Sequence, residues 1–282
     1  MNFDDPIVWL SFIGLASGFL SGFLGMGAGI IIVPLLHYYF TNLEGCDLQD
    51  SVLMAVNTSI AILLTTGLVN CYVQSTQGFE IAAKKMHFFI KLVLLSVVLG
   101  MIIKKSISVQ YTELIIAALL CFYGCKILCD VFKQKTKEIV SVQANQPEEK
   151  VKFRDKVLFV FGCSISATTG MGIGKVVIPL LESVGNLDRE HATYLSKKIG
   201  VITNVLLNIG IIILYIHYVN FLPFTVSGIY LPAFVVISLL AAPMIYVGNK
   251  VSLSLPTRLV DGIFGVYLLI NMMIILLQLA GI

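Results

Sequence analysis

The chain has 282 residues, 57% of them hydrophobic and only 12% charged, with a formal net charge of +3. Soluble domains carry about 25% charged residues, so this composition excludes a protein that is mostly water-facing. Its long apolar runs lack the alternation of barrel strands, which leaves α-helices as the membrane-crossing element.

About 20 apolar residues cross the hydrocarbon core as a helix. In chain order the candidate spans are 7–24, 51–73, 88–103, 112–132, 157–173, 192–216, 224–248 and 259–281, giving eight. The acidic start Asp4-Asp5 lacks the basic region of a signal peptide, so the first span reads as retained. The first span also runs on apolar to residue 40, and residues 6–40 as one helix would be about 52 Å long. The core is about 30 Å thick, so the helix must stop or fold back. The glycines at 25–29 are where it can, with Pro34 removing a backbone donor beyond them.

That segment has a partner. Gly25-Met26-Gly27-Ala28-Gly29-Ile30-Ile31-Ile32-Val33-Pro34-Leu35-Leu36 matches the twelve residues from Gly170 to Leu181 at seven positions. The offset of 145 residues also pairs Lys105 with Lys250, Thr112 with Thr257 and Leu114 with Leu259. We read the chain as a duplication: residues 1–132 and 157–282 are two four-helix transmembrane repeats with glycine-broken helices. Transporters often place their site between repeats, at discontinuous helices, which makes Gly27, Gly29, Gly172 and Gly174 candidate site residues. Close helix packing is the other use of such glycines, and Gly25 with Gly29 has the spacing for it. Four spans per repeat would make the repeats parallel, whereas an extra crossing at 30–40 would make them inverted.

Between the repeats, residues 133–156 hold Lys133, Lys135, Lys137, Lys150, Lys152, Arg154 and Lys156. Lys/Arg-rich loops are cytoplasmic, and eight spans then place both termini inside as well. Lys84, Lys85 and Lys91 fall inside too, and the acidic loop with Glu44, Asp47 and Asp50 falls outside. Lys104, Lys105, Lys250 and Arg258 run against this assignment.

Polar residues inside the spans form two stripes. Ser59, Thr66, Asn70 and Gln74 share a face of the second span, with Asn57, Thr58 and Thr65 beside them. In the sixth span Lys197, Gly200, Asn204 and Asn208 share a face, flanked by Ser196 and Thr203. Aligning Ala55–Ser59 with Ala192–Ser196 makes the stripes equivalent and points to one cavity between them. Interhelical hydrogen bonding accounts for scattered serines and threonines, but less well for a lysine. Lysines at membrane depth face cavities and serve function, so Lys197 and Lys175 are candidate anion ligands. Lys198, about 100° round the helix, can reach the headgroups instead. Helix N-termini at the glycine breaks would add positive dipole ends. No HExxH, GxSxG or zinc-ligand spacing is present, so neither an enzyme nor a metal or cofactor is indicated.

Gly-x-Gly-x-Gly followed by Pro-Leu-Leu, twice, with Ala-Val-x-Thr-Ser after the first, resembles the sulfite exporter (TauE/SafE) family, also called the toluene sulfonate uptake permeases. The resemblance covers the whole chain. It implies secondary transport of small sulfur-containing anions such as sulfite, sulfoacetate or other organosulfonates across a bacterial-type plasma membrane. By position it carries over Gly25, Gly27, Gly29, Pro34, Asn57, Thr58 and Ser59, and in the second half Gly170, Gly172, Gly174 and Pro179. Ser196-Lys197-Lys198 and Lys175 depart from the family's neutral pattern, which leaves the substrate anionic but its identity open. The expected partners are a small anion and membrane lipids, with no nucleic acid, and protons as a candidate coupling ion. A carrier of another small organic anion, an anion channel or a sensor is the alternative.

Overall fold

In a computed structural model, the described residues are 5–24, 29–75, 83–106, 109–132, 156–157, 159–164, 172, 174, 177–178, 181, 189–216 and 222–279. Gly25, Gly27, Gly170, Lys175 and Pro179, and the loop 133–155, lie outside them. The helices are α1 (Pro6–Leu24), α2 (Gly29–Tyr38), α3 (Leu48–Ser75), α4 (Ala83–Ser106), α5 (Val109–Phe132), α6 (Arg189–Leu214), α7 (Leu231–Ser254) and α8 (Thr257–Leu279). Residues 159–164 are also helical. Among the described residues four helices, α1, α3, α6 and α7, are long and apolar enough to cross a bilayer by these spans alone. The chain is an all-α polytopic membrane protein.

The exterior is apolar and the interior is partly polar, the arrangement a lipid solvent favours. Leu239, Ile213 and Phe122 are among the large apolar side chains left exposed. Ser17, Ser21, Asn57, Thr58, Ser59, Thr66 and Asn70 are buried. Irregular or polar backbone survives at this depth only inside protein or against a wet cavity.

The helix beginning at Pro6 stops at Leu24, and the next begins at Gly29, so the continuous apolar run is divided at the glycine cluster. The two halves then lie antiparallel. Trp9 Nε1, near the start of α1, donates to the carbonyl of Leu35 near the end of α2 (3.3 Å), and its ring packs on Tyr38. A π-helical turn, Tyr39–Leu43, closes the return. It is tied to α3 by His37 Nδ1 and Thr41 Oγ1, each 3.0 Å from Ser51 Oγ, and the Tyr39 hydroxyl donates to the Glu44 carboxylate.

α1 packs along α7 in parallel. Gly14, Gly18 and Gly22 meet Ile237, Ala241 and Ile245 in equal steps of four. A Cβ on Gly22 would lie 2.1 Å from the Ile245 carbonyl oxygen, and one on Gly248 would lie 2.1 Å from that of Phe19. These backbones touch, which is the close packing small residues allow in membranes. α5 and α8 pack antiparallel, Gly124 meeting Leu269 while Gly265 meets Leu128. Phe89 of α4 packs on Phe159 at a ring-centroid distance of 5.2 Å.

The seventh predicted span, 224–248, is shifted in the structure. Its first residues form a β-hairpin, β1 (Thr225–Val226) pairing antiparallel with β2 (Ile229–Tyr230), and α7 starts only at Leu231 with Pro232 in its first turn. Phe224, Ser227 and Gly228 take positive φ of 63°, 52° and 76°, conformations that stop a helix from starting there.

Candidate functional site

α3 and α6 cross antiparallel at the centre of the molecule. Steps of seven and four along α3, at Ile60, Gly67 and Cys71, are matched by the same steps backward along α6, at Asn208, Val201 and Lys197. Asn208 Nδ2 donates to the Ile60 carbonyl (3.2 Å) and a Cβ on Gly67 would lie 3.1 Å from Val201 Cγ2, a register that puts Lys197 opposite Cys71. Gly67 permits the close approach, because any larger side chain there would press on Val201.

Lys197 is 8% exposed. Among the described residues, Lys197 makes no ion pair with a carboxylate. Lys198 lies over the Tyr194 ring, 4.5 Å from its centroid. Asn204, two turns along from Lys197, is also 8% exposed. Thr203 Oγ1 donates to the Ile199 carbonyl (2.9 Å) and Ser196 Oγ to that of Thr193 (3.2 Å), so both hydroxyls fold back on their own helix.

The α3 stripe is not turned toward α6. Asn70 Nδ2 donates to Ser21 Oγ of α1 (2.9 Å) and to the Thr66 carbonyl (3.0 Å). Thr65 Oγ1 lies 2.9 Å from Ser238 Oγ of α7. At the start of α3 the hairpin covers the polar residues: Asn57 Nδ2 donates to the Ser227 carbonyl (3.3 Å), and Thr58 Oγ1 accepts from the Tyr230 N–H (3.0 Å). Ser59 is fully buried beside them. The structure therefore brings Asn57 and Thr58 together under the hairpin, and Lys197 to Cys71. It does not set the two stripes face to face.

At the first glycine break, Gly29 is buried and opens α2. In the second half Gly172 is buried with φ of 84°, a left-handed conformation that glycine adopts freely, and Gly174 is buried and helical. Cys71 and Ser21 were not legible as site residues, because a thiol or serine in an apolar helix carries no signal until helix rotation is known. The Gly14/Gly18/Gly22 contact did have a signal, a four-residue spacing.

Two proteins of Haemophilus influenzae, each described as a "probable membrane transporter protein", are similar to this chain. One is 26% identical over 199 residues, covering 70% of this chain and 66% of that protein; the other is 26% identical over 178 residues, covering 61% of each. The matched region thus spans slightly less than two thirds of these relatives' lengths. No solved structure matches the chain. The family described as Sulfite exporter TauE/SafE matches residues 10–276, nearly the whole chain. The chain belongs to the sulfite exporter TauE/SafE family of membrane transporters.

Proposed function

We propose that this protein is a secondary carrier of small sulfur-containing anions, with the substrate held beside the α3–α6 crossing. The observation that carries this reading is Lys197, a cation at membrane depth, 8% exposed and facing a thiol rather than a carboxylate. A charge in such a place is costly unless something compensates it, and a permanent anion such as a sulfonate does so. α2 begins at Gly29, so its N-terminal N–H groups and positive dipole end add to the field at the break.

The contact pattern supports two inverted repeats. Under the duplication α3 corresponds to α6 and α5 to α8, and both pairs run antiparallel. Parallel repeats would set each such pair in the same direction. An inverted pair brings its equivalent helices together near the midplane, where alternating access needs a site.

The test is transport and binding by purified protein. Sulfite and a short alkanesulfonate should raise the melting temperature in a saturable way and enter proteoliposomes. Lys197→Ala should abolish both while leaving a monodisperse, folded protein. Normal uptake by Lys197→Ala would remove this lysine from the site, and stabilisation only by neutral or cationic solutes would end the anion reading.

A further inference from the structure

Next to Lys197's partner on α3 sits an acceptor with nothing to accept. Asn70, 5% exposed, has no hydrogen-bond partner for Oδ1 among the described residues. Its amide cannot be turned to cure this. Nδ2 lies 3.0 Å from the Thr66 carbonyl, which can only accept, so the nitrogen must face it. The same nitrogen reaches Ser21 Oγ at 2.9 Å, in the last turn of α1. Carbonyls in a last helical turn find no partner within their own helix, so this corner is rich in acceptors.

Asn70 and Cys71 are neighbours on α3, about 100° apart around its axis. Cys71 faces Lys197. One small molecule lying against this edge of α3 would therefore meet a cation on one side and an orphan acceptor on the other. A plain alkanesulfonate satisfies the lysine and leaves Oδ1 unpaired, at the cost of a desolvated polar group. An anion that also carries an O–H or N–H group satisfies both.

We propose that the site selects small anions bearing a hydrogen-bond donor, Lys197 taking the negative charge and Asn70 Oδ1 the donor. Hydrogen sulfite and hydroxy- or amino-substituted sulfonates have this chemistry; unsubstituted alkanesulfonates do not. The proposal rests on the anion-carrier reading and narrows it.

The experiment compares 2-hydroxyethanesulfonate with 1-propanesulfonate, which are close in size and charge. Each is titrated against the thermal stability of the purified full-length protein. Wild type should bind the hydroxylated anion about tenfold more tightly, the worth of satisfying one otherwise orphaned acceptor. Asn70→Ala should bring the two anions within about twofold of each other. Asn70→Ser, which keeps a hydroxyl acceptor, guards against loss of folding and should retain part of the preference. Equal binding of the two anions by wild type, both lost in Lys197→Ala, would overturn the proposal and leave the carrier reading standing, with Oδ1 satisfied by a buried water. Preference undiminished in both Asn70 variants would also overturn it. If neither anion binds wild type, both readings fail.

Discussion

Lys197 stands opposite Cys71 at one end of the α3–α6 crossing as Asn208 meets Ile60 at the other, and the duplication we propose would exchange the two pairs. Aligning Ala55–Ser59 with Ala192–Ser196 sets Ile60 against Lys197 and Cys71 against Asn208. Geometry is thus shared between the halves while chemistry is not. One end of the crossing is closed by an amide–carbonyl hydrogen bond, and the other holds an uncompensated cation. Under the proposed duplication, a site built from equivalent helices would become selective only where the copies differ, as they do at these four positions.

The first prediction separates stability from function at Lys197. A buried charge without a carboxylate partner destabilises the empty protein, so Lys197→Leu should raise its stability by about 1–3 kcal/mol. The same substitution should remove stabilisation by anions. Opposite signs in one variant, read from melting curves with and without sulfite, identify a functional charge. A lower melting temperature in the absence of ligand would instead identify Lys197 as a structural partner of a group on the fold.

The second concerns the hairpin over Asn57. Gly228 has φ of 76°, and a Cβ there would lie 2.8 Å from Asn57 Nδ2. Gly228→Ala should cost about 1–2 kcal/mol for the left-handed conformation alone, and more for the contact. Asn57→Ala removes the contact. In the double variant, Gly228→Ala should therefore cost less than in wild type, with a coupling of about 0.5–3 kcal/mol. Strict additivity in thermal melts would show that the hairpin does not rest on Asn57.

What could be read in advance was set by lengths and one-dimensional spacing. An apolar run of about 52 Å cannot cross a layer of about 30 Å once, and the glycines at 25–29 mark the only local means of dividing it. Helix ends at Leu24 and Gly29 follow from that comparison. Rotation and direction of helices were not legible. Thr66 and Asn70 share a face with period 3.6, but nothing in the period says that the face meets α1 rather than α6. The hairpin was hidden because Phe224, Val226 and Ile229 let the segment merge with the more apolar helix that follows; Ser227-Gly228 and Pro232 mark the turn and the late start. Cys71 became interesting through its neighbour, not through its type.

The third prediction tests the α1–α7 contact. The Ile245 carbonyl oxygen is 2.1 Å from where a Gly22 Cβ would sit, and backbone cannot yield as a side-chain tip does. Gly22→Val should force the helices apart along their length and prevent recovery of monodisperse protein. Gly262→Ala, where an added Cβ meets nothing within 4 Å, is the matched control and should behave as wild type. Good yield of folded Gly22→Val would mean that α1 and α7 pack less closely than this.

The fourth prediction follows from helix directions. α2 returns antiparallel to α1, so the chain reaches α3 on the side from which α1 started. α3 then runs with α7, Thr58 meeting Tyr230 and Thr65 meeting Ser238, and α7 runs with α1. Two short connections carry the chain back through α4 and out through α5. The end of α5 at Phe132 therefore lies on the face opposite to Asp5. The seven basic residues of 133–156 are the strongest orienting signal in the sequence, and on that signal we propose that this face is cytoplasmic. On that proposal Lys250, near the end of α7, and Arg258, in the first turn of α8, would be cytoplasmic as well, and Asp5 and residues 44–50 would lie outside. Lys104 and Lys105 remain the exceptions. Counting four spans before the loop gives cytoplasmic termini; we propose instead that 29–43 crosses as well, which would put both termini outside. Single cysteines on a background lacking the six native ones provide the test, labelled in intact cells by a membrane-impermeant thiol reagent. Cysteine at position 3 should be labelled from outside and cysteine at position 144 only after permeabilisation. Labelling of both positions from the same side would mean an even number of crossings between them and would rule out inverted repeats.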